Sequence, residues 1–467
     1  MSSTQDTGSS TAPWTEELEQ WLQRQARVSG FDLAGIAPVD PSPSSADRLT
    51  EARFRAWIEA GHAGEMEYLK RRDDQGALLR SDVRKAIPWA RSVIVCAMNY
   101  DVPAPLSIEP AAPDRGWIAR YAWSGSEPKA EPGSEPGAEG GRGHKSNRRP
   151  RGEDTRLRTE STQLGRGSGA AAGSGEQSAT NASHGGFASD WVPAADKLVP
   201  TDYHHELLGR LHVLEAALQL QLPCQTRCYV DTGPILERAA AATAGIGWVG
   251  KNTCVLNEQL GSWLLLAIIV TSIPIASGFT LSPAADRCGS CTRCIDACPT
   301  DALIAPRHMD ASRCISYLTI EKKGLIPEAL RPLLGRQVFG CDICQEVCPW
   351  NSKSRSEREP VTTDSGMRPR AGLINPSLAW LASLDAKDFK RYFKNSPLER
   401  TRRKRLLRNV AIAMGNSGQA QFLSTLEAWA ARPEEDPVLA EAARWAVTQL
   451  QTPRQPQRDA GRTQQAV

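Results

Sequence analysis

The chain has 467 residues, enough for two or three domains, and its formal net charge of +3 is too small to indicate a partner. Its longest apolar run covers 263–269 and continues weakly to 275; this is far too short for a bilayer span and predicts a buried strand with no membrane association. The chain carries twelve cysteines and has no apolar signal segment at its N-terminus, so we expect a protein of the reducing cytoplasm.

The first 276 residues alternate between helical and strand-like patterns. Residues 1–13 are rich in Ser and Thr without periodicity and predict a disordered tail. Helical spacing predicts helices over 14–28, 49–60 and 235–244 and a further helix after 201. Strands are predicted at 31–37, 92–98, 226–230 and 263–269, and 117–123 is either a strand or an ordered loop. The alternation predicts an α/β domain over 14–276.

Residues 125–198 interrupt this domain with a low-complexity segment of Gly, Ser, Ala, Pro, Glu and Arg. The segment has almost no aliphatic periodicity and cannot form a packed core, so it predicts a disordered insertion. We interpret its basic cluster at 148–151 as a solvated linker charge and not as a nucleic-acid contact. The insertion is expected to loop out and to leave activity intact.

Eight cysteines between 288 and 348 fall in two similar runs, each closed by Cys-Pro. Three closely spaced cysteines with a distant fourth are typical of cubane iron–sulfur clusters, and in two-cluster ferredoxins the fourth cysteine of each run binds the other cluster. Structural zinc prefers paired knuckles of four ligands. The spacing predicts a ferredoxin-like domain over 277–367 with two [4Fe–4S] clusters. The first cluster is assigned Cys288, Cys291, Cys294 and Cys348, and the second Cys298, Cys314, Cys341 and Cys344.

The Gly-rich stretch 245–252 ends in Gly-Lys-Asn and nearly matches a phosphate-binding P-loop. A P-loop needs Ser or Thr where Asn252 stands, and it lies between a strand and a helix, whereas this stretch follows a helix. We therefore reject nucleotide hydrolysis. The glycines are interpreted as allowing the backbone to approach a large planar ligand closely.

Asp231 follows a predicted strand and opens a turn before a helix. One reading makes it a turn or N-cap residue that accepts hydrogen bonds from backbone N–H groups. The other makes it a general acid near a redox centre, which requires a proton held near neutral pH. The residue pattern leaves both readings open.

The remainder of the chain, 368–452, is helical, with short paired helices that suggest a HEAT-like domain, and 453–467 is expected to be loose. Basic residues are dense between 387 and 408, with Tyr392 and Phe393 among them. A solvated helical face and a footprint for a phosphate backbone both explain this density.

Several segments together resemble the epoxyqueuosine reductases. They are Arg-Tyr-Ala at 120–122, Asp-Tyr-His at 202–204, Val-Asp-Thr-Gly-Pro at 230–234, Gly-Trp-Val-Gly-Lys at 247–251, the Cys-Ile-Ser-Tyr-Leu-Thr-Ile-Glu of 314–321, the cysteine run through Cys-Pro-Trp-Asn at 340–351, and 408–416. The resemblance covers about 14 to 450 apart from the insertion.

The resemblance implies a cytoplasmic enzyme that reduces epoxyqueuosine to queuosine at the wobble position of tRNA. It implies a nitroreductase-like α/β domain that binds cob(II)alamin, a ferredoxin-like domain with two [4Fe–4S] clusters, and a C-terminal HEAT-like domain that holds tRNA. Asp231 matches the family's proton donor. Cobalamin contacts are assigned to Arg71, Asp231, Val255, Leu266, Ser316, Cys341 and Asp342, and tRNA contacts to Lys323, Arg402, Arg403, Arg405 and Arg408.

The expected partners are a tRNA carrying epoxyqueuosine and an external donor such as a ferredoxin or flavodoxin, and the chain is expected to be a monomer. Two other functions compete with this one. A ferredoxin-type electron carrier would need neither a large α/β domain nor a basic helical tail. Another corrinoid and iron–sulfur reductase, such as a dehalogenase, usually carries an export signal.

Overall fold

A computed structural model of the chain describes residues 12–39, 44–128, 197–356 and 367–452. No helix within these ranges is both long enough and apolar enough to cross a membrane. Most of the predicted insertion, nearly all of the first tail and all of 453–467 fall outside the described residues.

The N-terminal region combines helices with a central sheet. Its helices are α1 (Glu16–Val28), α2 (Ser45–Glu59), α3 (Val83–Ala86), α4 (Tyr203–Gln221) and α5 (Glu237–Thr243). Its strands are β1 (Leu33–Pro38), β2 (Ser92–Asn99), β3 (Trp117–Ile118), β4 (Ser124–Ser126), β5 (Val199–Pro200), β6 (Thr226–Tyr229), β7 (Trp248–Val249), β8 (Val255–Leu256) and β9 (Leu264–Thr271).

The central sheet has the order β1-β2-β9-β6, and every neighbouring pair is antiparallel. Successive side chains of a strand point to opposite faces. In β2, Ile94, Cys96 and Met98 accordingly join the apolar cluster with α1 and α4, while Val93, Val95 and Ala97 join the cluster with α5 and β8. The prediction that this strand is buried on both faces is confirmed.

The cysteine-rich region and the C-terminal region follow. The first contains α6 (Arg293–Asp296), α7 (Ile315–Ile320), α8 (Ile343–Glu346) and α9 (Pro349–Ser356), with β10 (Leu303–Ala305), β11 (His308–Met309) and β12 (Gln337–Phe339). The second contains β13 (Arg368–Pro369), α10 (Leu378–Ser383), α11 (Ala386–Phe393), α12 (Arg402–Ser417), α13 (Leu423–Ala430) and α14 (Pro437–Gln451).

These two regions share one apolar core. Leu318 of α7 and Phe339 of β12 are buried in the same cluster as Val410 of α12 and Ala443 of α14. Helix α12 is the centre of this core, because eleven consecutive or near-consecutive residues from Leu406 to Ser417 are buried. The predicted helices of the C-terminal region are confirmed, and they pack against the cysteine-rich region instead of standing apart.

The two ends of the insertion meet in a small sheet. Strand β4 pairs antiparallel with β5, with Gly125 opposite Pro200 and Ser126 opposite Val199. The first residues of the predicted disordered segment are therefore part of a strand, since β4 extends to Ser126 and pairs on its other edge with β13. The β4–β5 ladder therefore holds Ser126 and Val199 opposite each other, on either side of the segment 129–196.

Replacing 129–196 by a short Gly/Ser linker should leave the fold intact, because the β4–β5 ladder already brings both ends together. We expect an unchanged thermal midpoint and about eight irons per chain after anaerobic reconstitution. As a matched control, a deletion widened to 125–200 removes the ladder and should lower the midpoint. Loss of iron from the shorter deletion would show that the inserted segment contributes to the fold.

Candidate redox and proton-transfer site

The eight thiols of the cysteine-rich region lie in two groups. Burial, and then the neighbouring thiols of Cys288 and Cys291, raise the pKa of Cys294 to about 11. Burial, together with Cys288 and Cys294, likewise raises the pKa of Cys348 to about 11. Cys348 thus joins the first three cysteines across a gap of more than fifty residues, as the predicted ligand exchange requires.

The second group forms around Cys314. Burial raises the pKa of the Cys341 thiol well above its usual value, and Cys314 adds to the shift. Cys314 in turn interacts with Cys298. Cys344 hydrogen-bonds to Cys254 of the N-terminal region and also interacts with Cys341 and Cys314. Four thiols in each group are the donor set of a cubane cluster. Burial penalises free thiolates here, so bound iron would supply the charge that keeps them deprotonated.

The stretch 245–252 contacts the loops that carry these thiols. Trp248 points its Nε1 at the Cys288 Sγ, 3.4 Å away. Lys251 Nζ donates to the carbonyl oxygens of Gly289 (2.6 Å) and Cys291 (2.9 Å), and Asn252 Nδ2 donates to that of Cys344 (3.3 Å). The residues that mimic a P-loop therefore brace both thiol groups.

The close approach made by the glycines of this stretch is to the chain itself. A Cβ at Gly247 would lie 2.1 Å from the carbonyl oxygen of Leu256, and one at Gly250 would lie 2.2 Å from the Leu256 Cδ1. The glycines let β7 pack against β8. The interpretation that they make room for a planar ligand is wrong at these two positions, because Leu256 fills the space.

Asp231 lies in a tight turn between β6 and α5. Its φ is 56°, a left-handed conformation that Asp tolerates better than most residues. Helix α5 begins at Glu237 with Leu236 at its N-cap, so Asp231 does not cap it. The Asp231 side chain is 49% exposed. This placement excludes the interpretation of Asp231 as the N-cap residue of α5. Its carboxylate is accessible to a ligand.

Side chains from several elements surround Asp231. The Tyr203 hydroxyl donates to Asp231 Oδ2, and His204 Nε2 lies 3.6 Å from the same oxygen. Arg80 Nη2 donates to the Asp231 carbonyl oxygen at 2.9 Å. Glu237 hydrogen-bonds to the Asp231 carboxyl. Asp231 is thus held by hydroxyl, imidazole, guanidinium and carboxyl groups.

Arg400 ties the start of α4 to the C-terminal region. Its Nη2 donates to Asp202 Oδ1 and Oδ2, both at 2.8 Å, and its guanidinium lies 5.2 Å from the Tyr203 ring centroid. Burial by itself would raise the pKa of the Asp202 carboxyl, but the hydrogen bond from His204 and the charge of Arg400 outweigh it, and the pKa is lowered. Asp202 therefore stays ionised and fixes the two residues that contact Asp231.

Tyr121 connects Asp231 to the second thiol group. Its ring meets the Tyr203 ring edge-on at 5.7 Å and the Phe339 ring at 5.9 Å. Burial raises its pKa, against the opposing charge of Arg400, and the charges of Asp342 and Asp231 add to the increase. The backbone N–H of Arg120 donates to Asp342 Oδ2 at 2.6 Å. The 120–122 segment thus bridges the acid residue and the turn at Cys341.

The residues assigned to cobalamin are distributed over several elements. Cys341 and the buried Asp342 lie beside the 120–122 segment, and Ser316 lies on α7, two residues after Cys314. Val255 and Leu266 share an apolar cluster with Ile235, four residues after Asp231. Exposed Arg71 accepts a backbone hydrogen bond from Leu79, beside Arg80.

The basic residues assigned to tRNA divide into two kinds. Lys323 and Arg402 are exposed, and Arg403 is half-buried with only its Nε engaged, on the Leu384 carbonyl. Arg405 donates to the carbonyls of Ile320 and Glu321 through Nη1, and to Thr401 and Arg400 through its other nitrogens. Of the basic residues assigned to tRNA, Lys323, Arg402 and Arg403 are the ones whose cationic groups are accessible to a ligand.

Arg408 is 1% exposed and holds the end of α7. It donates to the carbonyl oxygens of Leu318 (2.7 Å), Lys322 (2.8 Å) and Gly324 (2.6 Å). The last carbonyls of a helix lack partners within it, and a buried guanidinium satisfies several at once. This burial argues against a phosphate contact by Arg408.

Sequence reasoning gave no role to Tyr203, His204, Arg80 or Glu237. Asp-Tyr-His at 202–204 stood out as a motif, but its role depends on contact with Asp231, almost thirty residues later. Arg80 and Glu237 look like ordinary surface charges in the sequence, and no local signal marks them.

Two four-thiol groups beside a hydrogen-bonded carboxylate on an α/β scaffold define an iron–sulfur redox protein. A family model described as a 4Fe-4S double cluster binding domain matches residues 287–351, and one described as epoxyqueuosine reductase QueG, DUF1730, matches 80–126. The epoxyqueuosine reductase of Pseudomonas aeruginosa is 32% identical to this chain over 443 residues, which are 93% of this chain and 95% of that protein.

Two solved structures resemble the whole chain. One is an epoxyqueuosine reductase with an epoxyqueuosine-modified tRNA-Tyr stem loop, at 25% identity and a TM-score of 0.66 over 94% of this chain and 91% of that one. The other is the Bacillus subtilis enzyme with its catalytic aspartate loop swung out of the active site, at 25% identity and a TM-score of 0.64 over the same shares. The chain belongs to the epoxyqueuosine reductase family.

Substituting Trp248→Phe should lower the reduction potential of the first cluster. Hydrogen bonds to ligand sulfurs stabilise the more negative reduced state, and a net bond of ~0.5–1.5 kcal/mol corresponds to about 20–60 mV for one electron. Potentiometric titration followed by electron paramagnetic resonance measures the shift. Trp350→Phe is the matched control, since that ring packs edge-on against Trp248 at 5.1 Å. Equal shifts in both variants would show a packing effect instead.

Proposed function

We propose that this protein reduces the epoxide of epoxyqueuosine in tRNA to the alkene of queuosine, with electrons passed through two [4Fe–4S] clusters to a cobalamin and a proton supplied by Asp231. The observation that carries the proposal is Asp231 itself, half-exposed, held by Tyr203, and joined through Tyr121 to the Cys341 turn. A pure electron carrier has no use for a carboxylate in this position. Family membership supports the same conclusion.

The two four-thiol groups support the electron route. Each group has the donor set of a cubane cluster. Cys314 and Cys341, assigned to the second cluster, pack with Tyr121 against the apolar cluster that contains Phe339. The external donor is proposed to be a ferredoxin or flavodoxin. Its identity, the monomeric state and the cytoplasmic location stay predictions.

The residues on the sheet face beside Asp231 fit a large corrin. Strand β9 is central in the sheet, yet Leu264, Leu265 and Leu266 at its start are only half-buried, while the rest of the strand is buried. Leu264 and Leu266 lie on the same face as Val255, so they offer an apolar surface next to a polar rim that includes Asp231. Arg71, Ser316, Cys341 and Asp342 would complete the contacts.

Cobalamin, when bound there, supplies a low-valent cobalt that can attack an epoxide carbon. The chain's own contribution is placement and proton transfer. Asp231 would protonate the departing oxygen, while the Tyr203 hydroxyl and the Arg80 guanidinium fix the carboxyl and its turn. Asp202, kept ionised by His204 and Arg400, holds Tyr203 and His204 at the start of α4.

The tRNA surface is proposed to include Lys323, Arg402 and Arg403. The three side chains lie on the connection after α7 and on the first turn of α12, which Arg405 and Arg408 fasten together. Cationic side chains on such a surface supply affinity for phosphates without choosing a base. The related structure that holds a tRNA stem loop supports this class of substrate.

Asp231→Asn should retain cofactor and tRNA binding and lose turnover by about 10²–10⁴-fold, the usual contribution of a general acid. The assay uses reduced enzyme, cobalamin and tRNA bearing epoxyqueuosine, with nucleosides identified by mass spectrometry. Glu16→Gln, at an exposed position of α1, is a control that should keep full turnover. Undiminished turnover in Asp231→Asn would remove that residue from the acid role.

Replacing Arg402 and Arg403 together by Ala should weaken tRNA binding. The slope of log affinity against log salt should become shallower by up to about two, because the variant makes up to about two fewer phosphate contacts and its binding releases fewer counterions. Filter binding at several salt concentrations measures both quantities. The matched control replaces Arg24 and Arg27, two exposed arginines of α1, and removes the same charge. If both double variants lost the same affinity for tRNA, the effect would be explained by net charge and not by a contact of Arg402 and Arg403.

A further inference from the structure

Glu237 places a second carboxyl against the acid residue. It is the first residue of α5, and its carboxyl hydrogen-bonds to that of Asp231. Glu237 Oε1 has no solvent access and no hydrogen-bond partner within the described part of the chain. A carboxylate oxygen in that position loses its hydration without compensation, so the site favours the neutral acid.

The charges around Glu237 point the same way. Burial, followed by the charge of Asp231, raises its pKa to about 8, against the opposing effects of Arg80 and Arg238. Two carboxyls that share a hydrogen bond cannot both ionise readily, and one proton stays between them. At neutral pH Glu237 therefore holds this proton, behind the exposed Asp231.

The proposed reaction needs more than one proton. Converting an epoxide to an alkene breaks two C–O bonds, forms a C=C bond and releases the oxygen as water. The change consumes two electrons, which the iron–sulfur route supplies, and two protons, which form the two O–H bonds of water. One carboxylic acid in contact with the substrate oxygen delivers only one of them.

We propose that Glu237 is a positioning residue that acts through Asp231 and stores one of the two protons of each turnover. Asp231 takes the proton of Glu237 and gives it to the oxygen when the first C–O bond breaks. Asp231 then takes a second proton from solvent and gives it to the oxygen, which leaves as water, and solvent reprotonates Glu237 by the same route. This inference rests on the proposed function and adds the source of the stored proton.

The other neighbours of Asp231 are less suited to this role. Burial raises the pKa of Tyr203 well above its usual value, with Asp231 adding to the effect, so its hydroxyl keeps its proton. His204 Nδ1 already contacts Asp202 and Arg400, and its Nε2 lies 3.6 Å from Asp231. His204 is therefore the competing proton source, and a His204→Gln variant examines it separately.

The test compares single-turnover formation of queuosine by pre-reduced wild type and Glu237→Gln across pH. Gln keeps the shape and a hydrogen-bond donor but carries no transferable proton. We expect the rate of Glu237→Gln to fall at least about tenfold, less than the ~10²–10⁴ of a direct acid. The wild-type rate should fall as the pH rises through about 8, because Glu237 loses its proton there, and the variant should lack this step.

Infrared difference spectroscopy gives a second readout that needs no substrate. The wild type should show a carboxylic-acid carbonyl band that disappears as the pH rises through about 8 and is absent in Glu237→Gln. In Asp231→Asn the midpoint should fall, because the neighbouring charge is gone. If Glu237→Gln does not fold, the band and its shift in Asp231→Asn decide the question.

An unchanged rate and pH profile in folded Glu237→Gln, or no acid band above the usual range of Glu, would overturn the proposal. Loss of the alkaline step in His204→Gln with its retention in Glu237→Gln would assign the stored proton to His204 instead. Failure of the wild type itself to form queuosine would contradict the proposed function, and the infrared result would still report whether the carboxyl pair holds its proton.

Discussion

The site depends on the crossing of Cys348 and Cys298 between the two thiol groups. Each of these cysteines ends one run yet joins the thiols of the other, so the two loops can close only together. Cys314, which lies far from its group in sequence, is brought in by α7. The position of α7 therefore decides whether the second group exists, and the elements that hold α7 are part of the redox site.

The C-terminal region fixes α7 in place. Arg405 and Arg408 of α12 donate to the carbonyls at its C-terminal end, and Asn409 Nδ2 donates to Thr319 and Val338 oxygens at 2.8 Å. A buried guanidinium is costly unless every donor finds an acceptor, and here free helix-end carbonyls provide them. Arg405 and Arg408 of the basic run at 387–408 thus have a structural purpose, whereas Arg402 is exposed and Arg403 half-buried.

The acid residue is set up by contacts that reach across the chain. Arg80 is 151 residues from Asp231 in sequence, and Arg400 is 198 residues from Asp202. Through Arg400 the C-terminal region touches the start of α4, and through Tyr121 the same site touches the cysteine-rich region. The half-exposed Asp231 carboxyl is therefore connected by contacts to the Cys341 turn, and the Glu237 carboxyl lies behind it.

The sequence by itself determined the alternating α/β elements and the helical C-terminal region, since periodicity is local and survives without a fold. The spacing of the cysteines and the motif around Asp231 likewise led to the hypotheses about the cluster ligands and the proton donor. Tertiary structure alone decided which basic residues are buried, that the sheet is antiparallel, that the glycines of 247–250 accommodate β8, and that Glu237 lies behind Asp231. Burial and pairing of charges depend on which distant segments meet. The local sequence around an Arg or Glu does not indicate which residue it will contact in the folded protein.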